Sequence, residues 1–474
     1  MFKSKRIRMW LVLLAFAVLG GGSNLGYSQT TTTTLLQPAD LVYKGAFLMP
    51  TAGVGPSSWA YGGASLTYKP VGDPTGPSDG YPGSLLGVGH PWQKAVSEVT
   101  IPVPVISATK NAADLNRAVS IQPFGDVTGG LKDQVPVDGQ GNVGVMYFPK
   151  MGTQTSDKLY WVAFQSYNVL GNNFLSTGWA EQSLANPQAK GLWSIGPYHA
   201  MATSRYLLEI PQTWADVNAA GKYIGGGRNR EAGCCGSSKG PALFAFAPWS
   251  NGNPPAAGTS LDAKQLLFYS EYPTNDPTLP NGFLPRGAKS FPNYQACDDW
   301  SGAAWVTTAA NKSALLYVGR KSLGTTRYGN PAPNDSDLAY GYHCDPFEPQ
   351  ILFYNPDDLA AVAKGQKDPG DPKPYAVMKP AQYFWPSAAW HMGGVAYDRA
   401  RGYLYVVQMF AYYEGCCDAY PIVHVFSVGQ GTTNTTTPPT DSGTTTPPPP
   451  TTPPPPPTPT STGPLVAPKG LQLR

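Results

Sequence analysis

One pattern recurs five times along this chain: a short apolar run, a turn, a second apolar run, a longer loop, and a third apolar run. It is clearest over residues 390–428. There Gly393 to Tyr397 is followed by the polar turn Asp398-Arg399-Ala400-Arg401-Gly402 and then by Tyr403 to Gln408. A loop with vicinal cysteines leads to Ile422 to Val428, which alternates strictly. Turn-bounded runs rich in β-branched and aromatic residues signal strands. A second copy begins at Trp59-Ala60-Tyr61-Gly62-Gly63 and runs through ASLTYKP, SLLGVGH and AVSEVTIPVPV. A third begins at Trp300-Ser301-Gly302 and runs through AAWVTT, SALLYVGRK and QILFYNP. Two looser copies lie between them: GVMYFPK, KLYWVAFQSY and WAEQSL, then RYLLEIP, KYIGGGR and PALFAFAPW.

Five copies of one strand-turn-strand-loop-strand unit predict a repeat architecture. Each unit is a β-propeller blade without its outer strand. An all-β fold follows: a single propeller of about five blades over residues 41–428, with six as the alternative. A β-sandwich also has short strands and turns, but the shared Trp…Gly lead-in and strand order favour the propeller. Length does not force a second domain, because propellers grow by adding blades around an axis. The segment LVYKGAFLM, residues 41–49, is a strand with no local partner. It is predicted to supply the outer strand of the last blade and so to remove the open sheet edge. RAVSIQPFG, residues 117–125, is predicted as the outer strand of the first blade, although a degenerate sixth blade could hide in residues 106–138.

The ends read differently. Residues 1–28 have a basic start (Lys3, Lys5, Arg6, Arg8), an apolar stretch from Met9 to Leu19, and small residues Gly26 and Ser28. This is the pattern of a bacterial-type signal peptide, with cleavage near Ser28 or near Ser23. Residues 29–40 are a polar spacer. Residues 429–464 become almost pure Thr and Pro, a disordered linker held extended by its prolines. Residues 465–474, GPLVAPKGLQLR with its preceding pair, form a tail that resembles the first strand of a fibronectin type III module. No other stretch is apolar enough to cross a bilayer. A secreted or cell-surface protein is expected. Net charge is only +3, and no basic run survives outside the leader, so nothing points to nucleic acid. Low charge (13%), high aromatic content (12%), 53 Gly and 50 Pro suit a loop-rich β protein.

In a propeller the loop between second and third strands and the crossover to the next blade share one face. These are predicted to be the long connections, which would gather them around the axis as a binding face. Just after the second strands stand His90, Gln165, Arg228, Arg320 and Gln408. Nearby are Trp92, His199, Trp300, His343 and His391. Of these, His90, Trp92, Arg228, Trp300, Arg320, His343 and His391 are the candidate ligand-binding residues. For each alone, strand capping or a backbone hydrogen bond is the plainer role. As a group they suggest a ligand face.

Six cysteines in an exported chain argue for disulfides. Cys297 and Cys344 flank one blade on one face and are paired here. Cys234-Cys235 and Cys416-Cys417 form either vicinal disulfides or cross-links between loops. Their spacing is not that of a zinc site. The candidate catalytic carboxylates are Asp298, Asp299, Glu231 and Glu348. Two carboxylates about 5–10 Å apart would suit a glycosidase, and Trp300 beside Asp298 and Asp299 would suit sugar stacking. The same aspartates could instead bond loop amides or hold a structural Ca2+; no other cofactor is indicated.

With five blades and acidic loops, residues 41–428 resemble the furanosidase-like glycoside hydrolases in architecture only. That resemblance implies a funnel with acidic residues and does not assign them. The sequence therefore suggests a carbohydrate-binding propeller that could also hydrolyse, with a polysaccharide or glycoconjugate as partner. The alternative is a non-enzymatic surface or matrix protein that grips another protein. A quinoprotein dehydrogenase is disfavoured, because the regular Trp motif of those larger rings is missing.

Overall fold

The computed structural model describes residues 34–73, 76–135, 142–164, 173–229, 237–269, 291–338 and 340–429. The chain divides into two units, Met1–Gly431 and Thr432–Arg474, and every described residue lies in the first. The signal peptide expected over residues 1–28 lies outside the described residues. So do the Thr/Pro-rich linker beyond its first residue and the terminal tail. Among the described residues no helix is long and apolar enough to cross a membrane.

Five small antiparallel sheets form a ring, as the repeats predict. Blade 1 is built from Leu66–Lys69, Ser84–Val88, Val96–Val99 and Ser120–Gly125, paired in that order. Blade 2 follows with Asn142–Phe148, Lys158–Phe164, Thr177–Ala180 and Lys190–Ile195. A short strand, Ser260–Leu261, adds parallel to its edge. Blade 3 is Tyr206–Glu209, Ile224–Gly227, Leu243–Phe246 and Ala263–Leu267. Blade 4 is Asp299–Thr307, Lys312–Ser322, Phe347–Tyr354 and Ala376–Met378. Blade 5 takes Met392–Asp398, Tyr403–Glu414 and Asp418–Val428 from the C-terminal side of the domain. Its outer strand is Leu41–Leu48, antiparallel to Asp418–Val428 with Leu41 opposite Val428 and Leu48 opposite Ile422. The ring is thus closed by the N-terminal strand. The described residues 106–135 do not make a sixth blade: Ser120–Gly125 is the outer strand of blade 1, residues 106–119 lead into it, and residues 126–135 follow it.

Each pair of neighbouring blades shares one apolar cluster, and the five clusters complete the circuit. Val88 and Val96 meet Val145 and Trp161 between blades 1 and 2. Tyr160 and Trp193 meet Phe244 and Phe246 between blades 2 and 3. Leu208 and Leu267 meet Trp305 and Tyr317 between blades 3 and 4. Leu316 and Phe353 meet Leu404 and Phe426 between blades 4 and 5. Tyr405 and Val425 meet Leu66 and Leu85 between blades 5 and 1. Successive side chains of a strand point to opposite faces, and here both faces are buried. That is why the inner strands read as unbroken apolar runs rather than alternating ones.

The glycines of the Trp…Gly lead-ins have a specific cause. The innermost strands crowd one another near the axis. A Cβ on Gly302 would sit 2.6 Å from the Gly393 carbonyl oxygen, and one on Gly393 would sit 2.2 Å from that of Gly63. Glycine at these points lets blades 4, 5 and 1 approach backbone to backbone.

Long connections occur on both faces, which corrects the expectation that they gather on one. Residues 210–223 carry the helix Gln212–Asn218, and residues 355–375 carry the helix Pro356–Ala363. Both lie on the face opposite the second-to-third-strand loops. The expected spacer also does more than separate: Thr34 and Leu35 pair parallel with Lys312 and Ser313 of blade 4.

Candidate functional site

The inner strands run in one sense around the axis, so their starts define one face. There Arg205, Asp299 and His391, each at or just before an inner strand, meet Arg320 from the end of a second strand. Arg205 donates to Asp299 in a two-pronged contact, Nη1 to Oδ1 at 2.5 Å and Nη2 to Oδ2 at 3.0 Å. This fork geometry is the strongest arrangement between these two groups. Burial pushes the Asp299 carboxyl up, but Arg205, Arg320 and His391 outweigh it and leave it below the usual range. Arg320 donates from Nη1 to the Ala389 carbonyl at 2.7 Å and lies 3.5 Å from His391 Nε2. Its guanidinium also lies over the Phe347 ring, 4.2 Å from the centroid. Burial and the two arginines push the His391 imidazole down to about 3, against the opposing pull of Asp299. His391 is therefore neutral at ordinary pH.

From His391 a file of rings runs outward. His391 meets Phe410 edge-on at 5.1 Å, and Phe410 faces Tyr61 at 6.1 Å. Tyr61 meets His90 at 5.4 Å, and His90 meets Trp92 at 5.0 Å. Trp92 ends the file in solvent, 73% exposed. Burial pushes the His90 imidazole below its ordinary value, with Asp418 opposing.

The backbone beneath this file is unusual. Tyr61 (φ 57°), Phe410 (φ 51°) and Trp390 (φ 48°) all lie in the left-handed region. Bulky residues rarely adopt it, and each instance costs about 1–3 kcal/mol. Two hydrogen bonds hold Tyr61: its N–H to the Ala419 carbonyl and its hydroxyl to the Cys417 carbonyl, both 2.7 Å. Phe410 sits where the register of the hairpin shifts between Gln408 and Tyr412. Cys416 and Cys417 are joined to each other at the tip of that hairpin, beside Tyr61. Strained backbone of this kind clusters at binding and catalytic sites.

The other predicted residues have different surroundings. Asp298 is fully buried and ion-paired with Lys321 Nζ at 2.8 Å, and it accepts from the Gln295 and Ser322 amides. Burial outweighs these partners and leaves its carboxyl above the usual range. Glu348 accepts from Gln350 at 2.6 Å and pairs with Lys379 at 3.0 Å. Trp300 is wholly buried, 5.6 Å from the Phe291 ring. Arg228 is buried with its guanidinium over Phe164. His199 caps the short helix Ala200–Thr203 by accepting from the Met201 amide. Gln408 pins the crossover by exchanging hydrogen bonds with the Trp385 backbone. His343 bonds the Gly329 carbonyl and faces Asp335 within a small hairpin. Cys297 and Cys344 form the predicted disulfide at the base of that hairpin. Gln165, Glu231, Cys234 and Cys235 lie outside the described residues.

The structure thus brings His90, Trp92, Arg320, His391 and Asp299 onto one face, with Trp390 beside His391, and adds Tyr61, Arg205 and Phe410, which were not singled out from the sequence. Among the described residues no group of three His, Cys, Asp or Glu side chains could hold a metal. At the opposite end of the axis a space of about 70 Å3 is lined by all five inner strands, and Arg399 there pairs with Glu209 at 3.5 Å. A larger cavity, about 600 Å3, lies at the outer rim among residues 38–43, 106–110 and 378–383. Lys110 lines it and donates to the Tyr383 carbonyl. No protein-family model matches the chain, and no curated protein matches it at a significant level.

Proposed function

We propose that this is an exported propeller that binds extracellular carbohydrate on the face where its inner strands begin. One observation carries the reading: the file of rings from exposed Trp92 through His90, Tyr61 and Phe410 to His391, ending at the ionic cluster of Arg205, Asp299 and Arg320. Aromatic rings offer sugars a flat apolar surface, while tyrosine and histidine add polar edges for hydroxyls. Two guanidiniums set against one carboxylate leave a net positive charge buried beneath the file, which favours an acidic sugar. Paired cysteines suit an oxidising compartment outside the cell.

Binding stands ahead of hydrolysis in this reading. Asp298, Asp299 and Glu348 are each engaged in an ion pair, whereas a glycosidase needs one carboxyl ready to give a proton and another to attack or activate water. The test is a glycan array probed with the oxidised protein, with the strongest hits then assayed for new reducing ends. Trp92→Ala should weaken binding about fivefold, in line with about 1 kcal/mol for a lost aromatic contact. Undiminished binding by that variant would refute this placement of the site. New reducing ends that vanish in Asp299→Asn would make the protein a glycosidase. Failure to bind any glycan would leave the protein-interaction reading in front.

A further inference from the structure

The aromatic surface on this face does not stop at His391. We propose a second sugar-binding subsite on the hairpin of Arg327–Gly329 and Gly341–His343, and hence that the ligand is an extended polysaccharide spanning both. The proposal rests on the carbohydrate reading above and deepens it.

The hairpin lies in the connection between the second and third strands of blade 4, on the same face as the first file. Tyr328 and Tyr342 are paired across it. The Tyr328 ring meets Tyr342 at 4.8 Å and Tyr340 at 5.3 Å, both edge-on. Tyr328 is 60% exposed and Tyr340 is 66% exposed. The platform beneath them is firmly tied. Cys344, next to His343, is bonded to Cys297. Asp335 pairs with Arg327, faces His343 and accepts from the Ala332 amide.

The two aromatic groups are joined through protein. Tyr342 and Trp390 both pack on the buried cluster of Cys297, Cys344 and Phe347. Trp390 directly precedes His391, where the first file ends. The two groups thus share one buried support between blades 5 and 4. A cluster of tyrosines held outward on a braced hairpin exposes apolar area that a ligand could cover. Rings with polar tips, on the same face as the first file, suit the alternating apolar and hydroxylated faces of a sugar chain. A chain that reaches both subsites gains from the high effective concentration of the second contact.

The test compares polymer with oligomer. Full-length oxidised protein is titrated with pectin, alginate, hyaluronan, xylan, cellulose and chitin, and with the tetrasaccharide of each. For the sugar that binds, the polymer should bind at least about tenfold more tightly than its tetrasaccharide when both are counted per tetrasaccharide equivalent. Tyr328→Ala with Tyr340→Ala should abolish that preference and leave tetrasaccharide affinity and melting temperature unchanged. Should the double variant fold poorly, Tyr340→Ala alone alters the more exposed ring and should still lower polymer affinity several-fold. Equal affinity for polymer and tetrasaccharide, or a polymer preference that survives both variants, would overturn the second subsite while leaving the first reading standing. Binding to none of the twelve probes would overturn both.

Discussion

At the scale of single residues, the axial ion cluster links structure to pH. His391 is held neutral in the fold, pushed from an ordinary value near 6.5 down to about 3 by burial and by Arg320 and Arg205. The unfolded chain takes up a proton at this position as pH falls below about 6.5, while the fold does not until about 3. A depressed folded pKa therefore contributes stability that is present above the unfolded value and is lost as pH falls through that window. His424, buried and likewise pushed down, adds a contribution of the same sign. His391→Gln, which cannot titrate, should flatten the loss of stability between pH 6.5 and 3 without removing it. Urea melts at several pH values measure this. A variant with the wild-type slope would mean that His391 is not the buried neutral group described here.

At the scale of elements, the N-terminal strand is the part whose role is most readily tested. Leu41–Leu48 covers the edge of Asp418–Val428, and Ala46, Phe47 and Leu48 are buried. Deleting residues 41–49 should abolish cooperative thermal unfolding, seen by calorimetry. A truncated protein that kept its transition would show that the strand decorates the ring without closing it. This strand was legible because the last blade lacked a partner for its C-terminal strand. The inner strands were legible because burial on two sides makes them continuous apolar runs. Several outer strands were not. Lys190–Ile195 carries exposed and half-buried residues, and Ala376–Met378 is only three residues long. Neither leaves a periodic signal. The site was legible in part. His90, Trp92, Arg320 and His391 followed from strand register and Asp299 from its place beside Trp300, but Arg205 meets Asp299 across 94 residues of sequence and no local pattern announces that partner. Phe410 was hidden because a shift of register, not a turn motif, places its ring.

At the scale of the whole molecule, five blades give a ring whose two ends differ. At one end Arg399 and Glu209 lie beside a small, half-open space. At the other lie half-buried left-handed aromatic residues and a braced hairpin with exposed tyrosine rings. The proposed binding face rests on this asymmetry more than on any one side chain. Hydroxyl-radical footprinting with the tightest-binding polysaccharide of the six tests that assignment most directly. The account predicts protection at Trp92, Tyr61, Tyr328 and Tyr340, with Tyr43 and Tyr383 at the outer-rim cavity unchanged. Protection confined to Tyr43 and Tyr383, or no protection at Trp92 and Tyr61, would contradict it.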